Sequence, residues 1–369
     1  VSGRLRDLSA VHGQSPWLDN LQRSFFASGR LEGMIARGVR GLTSNPTIFQ
    51  KAIQGSTDYD AQFASEIARG LSPVEAYWEL VISDIHSALD CFAPLHAESG
   101  GTDGFVSVEV DPSLAHDGEA TLAAARALHE RIGRPNVMIK IPATQEGLGA
   151  IRRMISEGRN VNVTLIFSLE RYDAVMDAYI GGLEDRAAAG QPVAGIASVA
   201  SFFISRVDNE VDRRLDAAGT APALALRGTA AVNQARLAYD LFRRRFSGPR
   251  WKALEGLGAQ VQRPLWASTS TKNPAYPDTL YVDSLIGPDT VNTLPDATLE
   301  AFDDHGTPAR TIDSAVNTAR EQWEALAGHG VDTSQVAEQL EREGVASFIA
   351  SFDELIAALE AKAAALGKP

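Results

Sequence analysis

Lys140 is the residue of this sequence best placed to do chemistry. It sits inside an apolar, strand-like run, Val137-Met138-Ile139-Lys140-Ile141-Pro142, with Ala143-Thr144-Gln145-Glu146-Gly147 directly after it. Lysine is scarce here: 6 of the 34 basic residues, the other 28 being arginine. A continuous apolar run opened by Pro135-Asn136 and closed by Pro142 reads as a strand buried on both faces of a parallel sheet. Desolvation disfavours an ammonium, and the neutral amine it favours can attack a carbonyl to form a Schiff base. The plainer alternative is a lysine that pairs with a neighbouring carboxylate and fills space. Schiff-base carbon–carbon chemistry also needs one acid to dehydrate the carbinolamine and one carboxylate to move the proton that makes or breaks the bond.

The elements that must position such groups follow from the pattern of the chain. Short β-rich apolar runs alternate with longer helical patterns almost from end to end, which is the sequence form of βα units. Strands are expected near 16–20, 39–44, 104–110, 136–142, 160–167, 193–200, 261–268 and 289–293. Helices stand out at 121–132, 169–187 and 229–246. Eight strands with intervening helices indicate an α/β fold, a (β/α)8 barrel, and 369 residues suit one such unit. The excess length goes to extra helices at 59–69, 73–92, 208–218 and 251–256. Further helices at 308–327, 334–343 and 345–366 give a C-terminal extension over 308–369. With no linker composition in between, residues 1–369 are expected to form a single decorated barrel with that extension packed on it. The opposing fold, a doubly wound dinucleotide-binding sheet, should carry G-x-G-x-x-G after its first strand. The nearest match, Gly147-Leu148-Gly149, lacks the third glycine.

In a barrel the C-terminal ends of all strands face one mouth. The first strand delivers Trp17-Leu18-Asp19-Asn20, the second Thr43-Ser44-Asn45-Pro46-Thr47 and the third Ser107-Val108-Glu109-Val110-Asp111. By strand alternation Ser107, Glu109 and Asp111 share one face. The fifth strand supplies Asn162-Val163-Thr164, the sixth Ser201-Phe202-Phe203, and the seventh Ser268-Thr269-Ser270-Thr271-Lys272. Each has an ordinary alternative: Asp19 a helix cap, Asn45-Pro46 a turn, Asn162 a loop anchor, Lys272 a solvated loop residue. Their agreement at six strand ends favours a shared site built on Lys140, Asp19 and Glu109.

Composition narrows the remaining classes. A formal charge of −13, with a pI near 5.0, argues against nucleic-acid or anionic-membrane partners. Arg243-Arg244-Arg245 closes a helical pattern, where cations suit the helix dipole. The single cysteine, Cys91, excludes an intrachain disulfide framework, fits a reducing compartment and reads as a small core residue. The first residues lack the apolar stretch of a signal peptide, and nowhere do 18 apolar residues run together, so a cytoplasmic protein is expected. The seven histidines, at 12, 86, 96, 116, 129, 305 and 329, show no metal-ligand spacing, and no G-x-S-x-G elbow occurs. No metal and no cofactor is expected, and a homo-oligomer is left open.

The segments Leu42-Thr43-Ser44-Asn45-Pro46-Thr47 and Ile139-Lys140-Ile141-Pro142-Ala143-Thr144 resemble the two signature regions of transaldolases, class I aldolase-type barrels of the pentose phosphate pathway. The likeness continues through Val108-Glu109-Val110-Asp111, Asn162 to Ser168, Ser201 to Asp208 and Trp266-Ala267-Ser268, in order between residues 17 and 293. The resemblance implies that Lys140 forms the Schiff base with a ketose phosphate and that Asp19 exchanges the proton of the C4 hydroxyl. It further implies that Glu109, through a water held with Thr164, serves dehydration and hydrolysis. Asn45, Asn162 and Ser201 would hold the hydroxyls of the dihydroxyacetone unit with Phe203 close by, and Arg206 would bind the substrate phosphate. Many members carry a second phosphate-binding arginine two residues past the seventh-strand serine. Here Ser270 stands there, and Ser268 with Lys272 is assigned to the phosphate instead. The Trp-Ala-Ser-Thr-Ser-Thr-Lys-Asn form and the C-terminal helices are similar to the longer bacterial subgroup. A transfer of dihydroxyacetone from sedoheptulose 7-phosphate to glyceraldehyde 3-phosphate is therefore expected. A fructose 6-phosphate aldolase-type lyase and a non-catalytic sugar-phosphate-binding barrel are the alternatives, with Glu109 favouring transfer.

Overall fold

The computed structural model describes residues 3–366. Residues 1, 2 and 367–369, the ends of the expected single domain, lie outside the described residues. Among those described, eight parallel strands close into one barrel in sequence order. They are β1 (Gln14–Leu18), β2 (Gly41–Thr43), β3 (Phe105–Glu109), β4 (Val137–Pro142), β5 (Val161–Ile166), β6 (Ser198–Phe203), β7 (Arg263–Ala267) and β8 (Thr290–Leu294). Closure is made by β8 on β1, with Gln14 opposite Thr290 and Leu18 opposite Leu294. Nearly every strand residue is buried, as a sheet covered by helices outside and side-chain layers inside requires.

Most expected strands shift by one or two residues, and the sixth moves more. Residues 193–197 are not strand, because Gly195 turns the chain with φ of +80° and Asn160 Oδ1 receives the Ala197 N–H. Val193 and Ile196 are apolar because each is buried against the core, while Ala194 and Gly195 between them are exposed. The helix Pro73–Glu98 runs six residues past its expected end at 92. It starts from a reciprocal cap in which Ser72 and Glu75 satisfy each other's backbone N–H groups.

At the C-terminus, two expected helices are one, Thr333–Leu366, passing through Gly344 without a break. Glycine costs a helix interior about 1 kcal/mol relative to alanine, and packing offsets this. A Cβ at Gly344 would lie 3.0 Å from Leu165 and 3.5 Å from Arg206 Nη1. Val345, Phe348 and Phe352 on the same helix are buried. The expected helix at 308–327 begins only at Val316, after irregular chain that ends in a turn over 312–315. Cys91 is a further correction: it is half-buried rather than in the core, with Sγ donating to Glu32 Oε1 at 3.5 Å, and burial pushes its thiol up to about 11. The three arginines at 243–245 pair with Asp313, Asp240 and Asp173.

Barrel closure leaves no slack where β1 meets β2. A Cβ at Gly41 would approach the fully buried Trp17 ring to 2.5 Å. Gly41→Ala is expected to destabilise the fold by about 1–3 kcal/mol through overpacking, read as a lower urea midpoint. An unchanged midpoint would show that the ring can move aside.

Candidate active site

Parallel strands in a closed barrel bring their C-terminal ends to one rim, and on this rim the cavity has a volume of about 380 Å³. Its walls include Asp19, Thr43, Asn45, Thr47, Lys51, Lys140, Thr164, Ser201, Phe203, Arg206, Ser268, Ser270 and Lys272. A larger cavity of about 530 Å³ opens on the opposite rim around Arg40, Asp103 and Arg263. There Asp103 already receives Ser15, Arg40 and Arg263, so its charge is spent on holding the barrel's lower end together.

Register sets Glu109 and Lys140 side by side. Glu109 of β3 lies opposite Lys140 of β4, and Lys140 opposite Asn162 of β5. Lys140 Nζ lies 3.3 Å from Glu109 Oε2, the two side chains being 6% and 2% exposed, and donates to the Ser44 carbonyl at 3.2 Å. The carboxylate partner required by the plainer reading of Lys140 is thus present, and it is one of the two acids that the chemistry needs. Both Glu109 oxygens and Thr164 Oγ1 are buried without a hydrogen-bond partner among the described residues, the lysine contact being an ion pair. Burial pushes the Glu109 carboxyl up from its usual range, and the Lys140 ammonium pulls it partly back.

Asp19 follows β1, where its N–H extends the barrel ladder to Leu294. It caps no helix. Its Oδ1 accepts from Thr43 Oγ1 at 2.8 Å. Burial raises the Asp19 carboxyl, while the charges of Lys140 and Lys272 work in the opposite direction. Two acids held near one amine, each biased toward holding a proton, are equipped for acid–base work on a bound intermediate.

The polar network continues around the barrel. Ser201 Oγ donates to Asn162 Oδ1 at 2.7 Å, and Asn162 Nδ2 donates to Ser107 Oγ at 3.0 Å. Asn162 and Glu109 are not part of the cavity wall; they stand behind it. Asn45 lines the wall and also caps the helix Pro46–Gln54, its Oδ1 accepting the Ile48 N–H at 3.0 Å, so one side chain both caps the helix and faces the cavity. Asp111 does not join Ser107 and Glu109, because the strand ends at Glu109 and Asp111 instead accepts the Ser113 N–H.

The β5–β6 pairing slips between Val163 and Ile166, and Leu165 has φ of +60°. A bulge with a bulky residue in the left-handed region is strained, and here it sits directly after Thr164. Ser268, also left-handed at φ of +57°, shares a 2.8 Å contact between hydroxyls with Ser205. Arg206 lies 5.3 Å from the Phe203 ring centre, and burial lowers its guanidinium pKa. Lys272 is exposed and donates to Ser270 Oγ at 2.7 Å. Among the described residues, no group of three or more His, Cys, Asp or Glu is placed to hold a metal ion, and no helix is long and apolar enough to cross a membrane.

Sequence reading gave no role to Thr43, Ser347, Phe348 or Lys51. Ser347 and Phe348 reach the cavity from the C-terminal helix, a contact between distant segments that leaves no local pattern. Thr43 lies within a quoted motif, and the scarcity of lysine was the available signal for Lys51.

A barrel with a buried lysine, two nearby carboxyls and a basic rim has the equipment of an enzyme that acts on carbonyl compounds bearing an anion. Residues 16–359 match the family described as Transaldolase/Fructose-6-phosphate aldolase. The chain is 51% identical over 358 residues to a transaldolase of Frankia alni, covering 96% of each chain. It is 51% identical to transaldolase 1 of Streptomyces coelicolor, covering 97% of this chain and 94% of that one. Against a transaldolase of Trichodesmium erythraeum the identity is 47%, covering 95% of each. The chain belongs to the transaldolase/fructose-6-phosphate aldolase family.

The raised Asp19 carboxyl has a consequence for stability. A carboxyl whose folded pKa exceeds its unfolded value costs stability once pH passes the unfolded value, because the unfolded chain then ionises more readily. Asp19→Asn keeps an acceptor for Thr43 and removes the buried charge. It is expected to unfold at a higher temperature than the parent at pH 7, with the gap closing toward pH 3–4, while turnover is lost. A variant that is less stable at both pH values would contradict the burial cost.

Proposed function

We propose that the chain is a transaldolase that moves a dihydroxyacetone unit from sedoheptulose 7-phosphate to glyceraldehyde 3-phosphate, giving erythrose 4-phosphate and fructose 6-phosphate. The observation that carries this reading is the 3.3 Å contact of Lys140 with Glu109 beside a cavity that Asp19 shares.

The steps follow from the groups present. Lys140 Nζ, as the free amine, attacks C2 of the ketose. The carbinolamine hydroxyl leaves as water with a proton from Glu109, and the buried oxygens of Glu109 and Thr164 are the groups to hold that water. Asp19 takes the C4 hydroxyl proton as the C3–C4 bond breaks, and the first aldehyde departs. The enamine left on Lys140 then attacks the second aldehyde, and Asp19 returns its proton to the new alkoxide. Water and Glu109 reverse the first stage. Asn45 and Ser201 hold the dihydroxyacetone hydroxyls, and Asn162, locked by Ser107 and Ser201 behind the wall, supports that grip through Ser201. Phe203 forms the apolar wall. Arg206, Ser268 and Lys272 take the phosphate, for which guanidinium and ammonium donors suit.

Transfer differs from simple cleavage in that the enamine must survive until the second aldehyde arrives, which a dry site favours. Phe203, Phe348 and the long C-terminal helix serve that exclusion, the helix being part of a C-terminal extension that starts at residue 308 and packs on one decorated barrel. Acting on soluble sugar phosphates, the enzyme is proposed to work in the cytoplasm.

With fructose 6-phosphate and erythrose 4-phosphate, the enzyme is expected to form sedoheptulose 7-phosphate. Without an acceptor, release of free dihydroxyacetone should be slower by at least about tenfold. Lys140→Ala should lower transfer by roughly 10³-fold or more with an unchanged circular dichroism spectrum. Equal rates with and without acceptor would assign the chain to the lyase side of the family, and full activity in Lys140→Ala would remove the mechanism.

A further inference from the structure

Lysine is rare in this chain, and its distribution is uneven. Of the six in the sequence, Lys51, Lys140 and Lys272 all line the mouth cavity. Lys252 and Lys362 lie elsewhere, paired with Glu255 and Asp60. Lys140 is held by Glu109 and the Ser44 carbonyl, and Lys272 by Ser270. Lys51 stands apart: among the described residues its ammonium makes no hydrogen bond or ion pair, although Gln50 beside it reaches Glu354 at 2.6 Å.

Charge sharpens the contrast. Four basic side chains line the cavity, Lys51, Lys140, Arg206 and Lys272, against one carboxylate, Asp19. The chain as a whole carries −13. Elsewhere on this acidic surface many of the arginines are paired with a carboxylate. A local excess of cations around a concave, partly dry site instead concentrates the field on an incoming anion.

Topology fixes where each cation enters. Lys51 lies on the helix Pro46–Gln54 that follows β2, Arg206 on the helix Ser205–Ala218 that follows β6, and Lys272 on the loop after β7. In a closed barrel of eight strands in sequence order, β2 and β6 are on opposite walls. We propose that Lys51 is a third cationic contact for the substrate's phosphate, reaching in from the wall opposite Arg206. The assignment rests on the sugar-phosphate reading above. It also answers the serine at position 270, where many family members place an arginine: the missing charge is supplied from across the mouth. A lysine suits the task because its flexible stem lets one ammonium follow phosphates on sugars of different length, which a rigid bidentate fork does less well.

The test compares the parent enzyme, Lys51→Gln and Lys51→Arg in two measurements. The first is kcat/KM for fructose 6-phosphate and for unphosphorylated fructose with the same acceptor. The second is calorimetric binding of inorganic phosphate. Lys51→Gln is expected to lower the preference for the phosphorylated donor about three- to tenfold, to weaken phosphate binding by a similar factor and to flatten the salt dependence of kcat/KM. Lys51→Arg should recover most of each. An unchanged preference and unchanged phosphate affinity would make Lys51 a solvated helix residue, and equal losses on both donors would make its role structural; either overturns the inference. Phosphate binding that depends on Lys51 in a protein without transfer activity would uphold the inference while removing the transaldolase reading.

Discussion

The contact on which the rest of the site depends is the one between Lys140 and Glu109. Two opposite charges deep in a barrel are expensive to desolvate, and their attraction repays this only when other groups share the load. Here the second support for the ammonium is a backbone carbonyl, that of Ser44. The two glutamate oxygens keep no settled hydrogen bond. The pair is therefore held by register more than by satisfaction. Glu109 and Lys140 are directly opposed on adjacent strands, and a parallel ladder closed on itself cannot slip by one residue without turning every inward side chain outward.

That constraint explains the shape of the surroundings. The Ser201–Asn162–Ser107 chain joins β6, β5 and β3 across the interior and fixes the amide against the strand that bears the lysine. The β5 bulge re-aims the chain after Thr164 at the cost of a left-handed Leu165, a strain of about 1–3 kcal/mol that stiff packing must hold. The C-terminal helix supplies part of this packing. Its glycine lets the backbone settle against Leu165 and Arg206, and its Ser351 meets Thr47 at 2.8 Å on the far side of the mouth. One helix thus touches both walls of the cavity.

Much of this was legible in the sequence. The alternation of apolar runs and helical patterns carried the barrel, because buried parallel strands leave continuous Val/Ile/Leu runs that helices do not. Lys140, Asp19 and Glu109 were legible because polar residues at strand ends are conspicuous in an apolar background. The sixth strand was misplaced because a loop that buries Val193 and Ile196 leaves the same apolar trace as a strand, and only the turn at Gly195 separates them. Gly344 read as a helix break because its reason for being glycine lies on Leu165 and Arg206, far away in sequence. Asp111 read as inward-facing because alternation does not announce where a strand stops. Lys51 passed unremarked because an exposed lysine on a helix is ordinary until its neighbours in space are known.

The central claim is that Lys140 is the nucleophile. Borohydride reduction in the presence of fructose 6-phosphate, followed by peptide mass spectrometry, tests it most directly. The account predicts a reduced dihydroxyacetone adduct on the peptide containing Lys140 and loss of activity in step with labelling. A folded protein that binds the sugar phosphate yet yields no adduct, or one labelled on Lys51 or Lys272 instead, would contradict it.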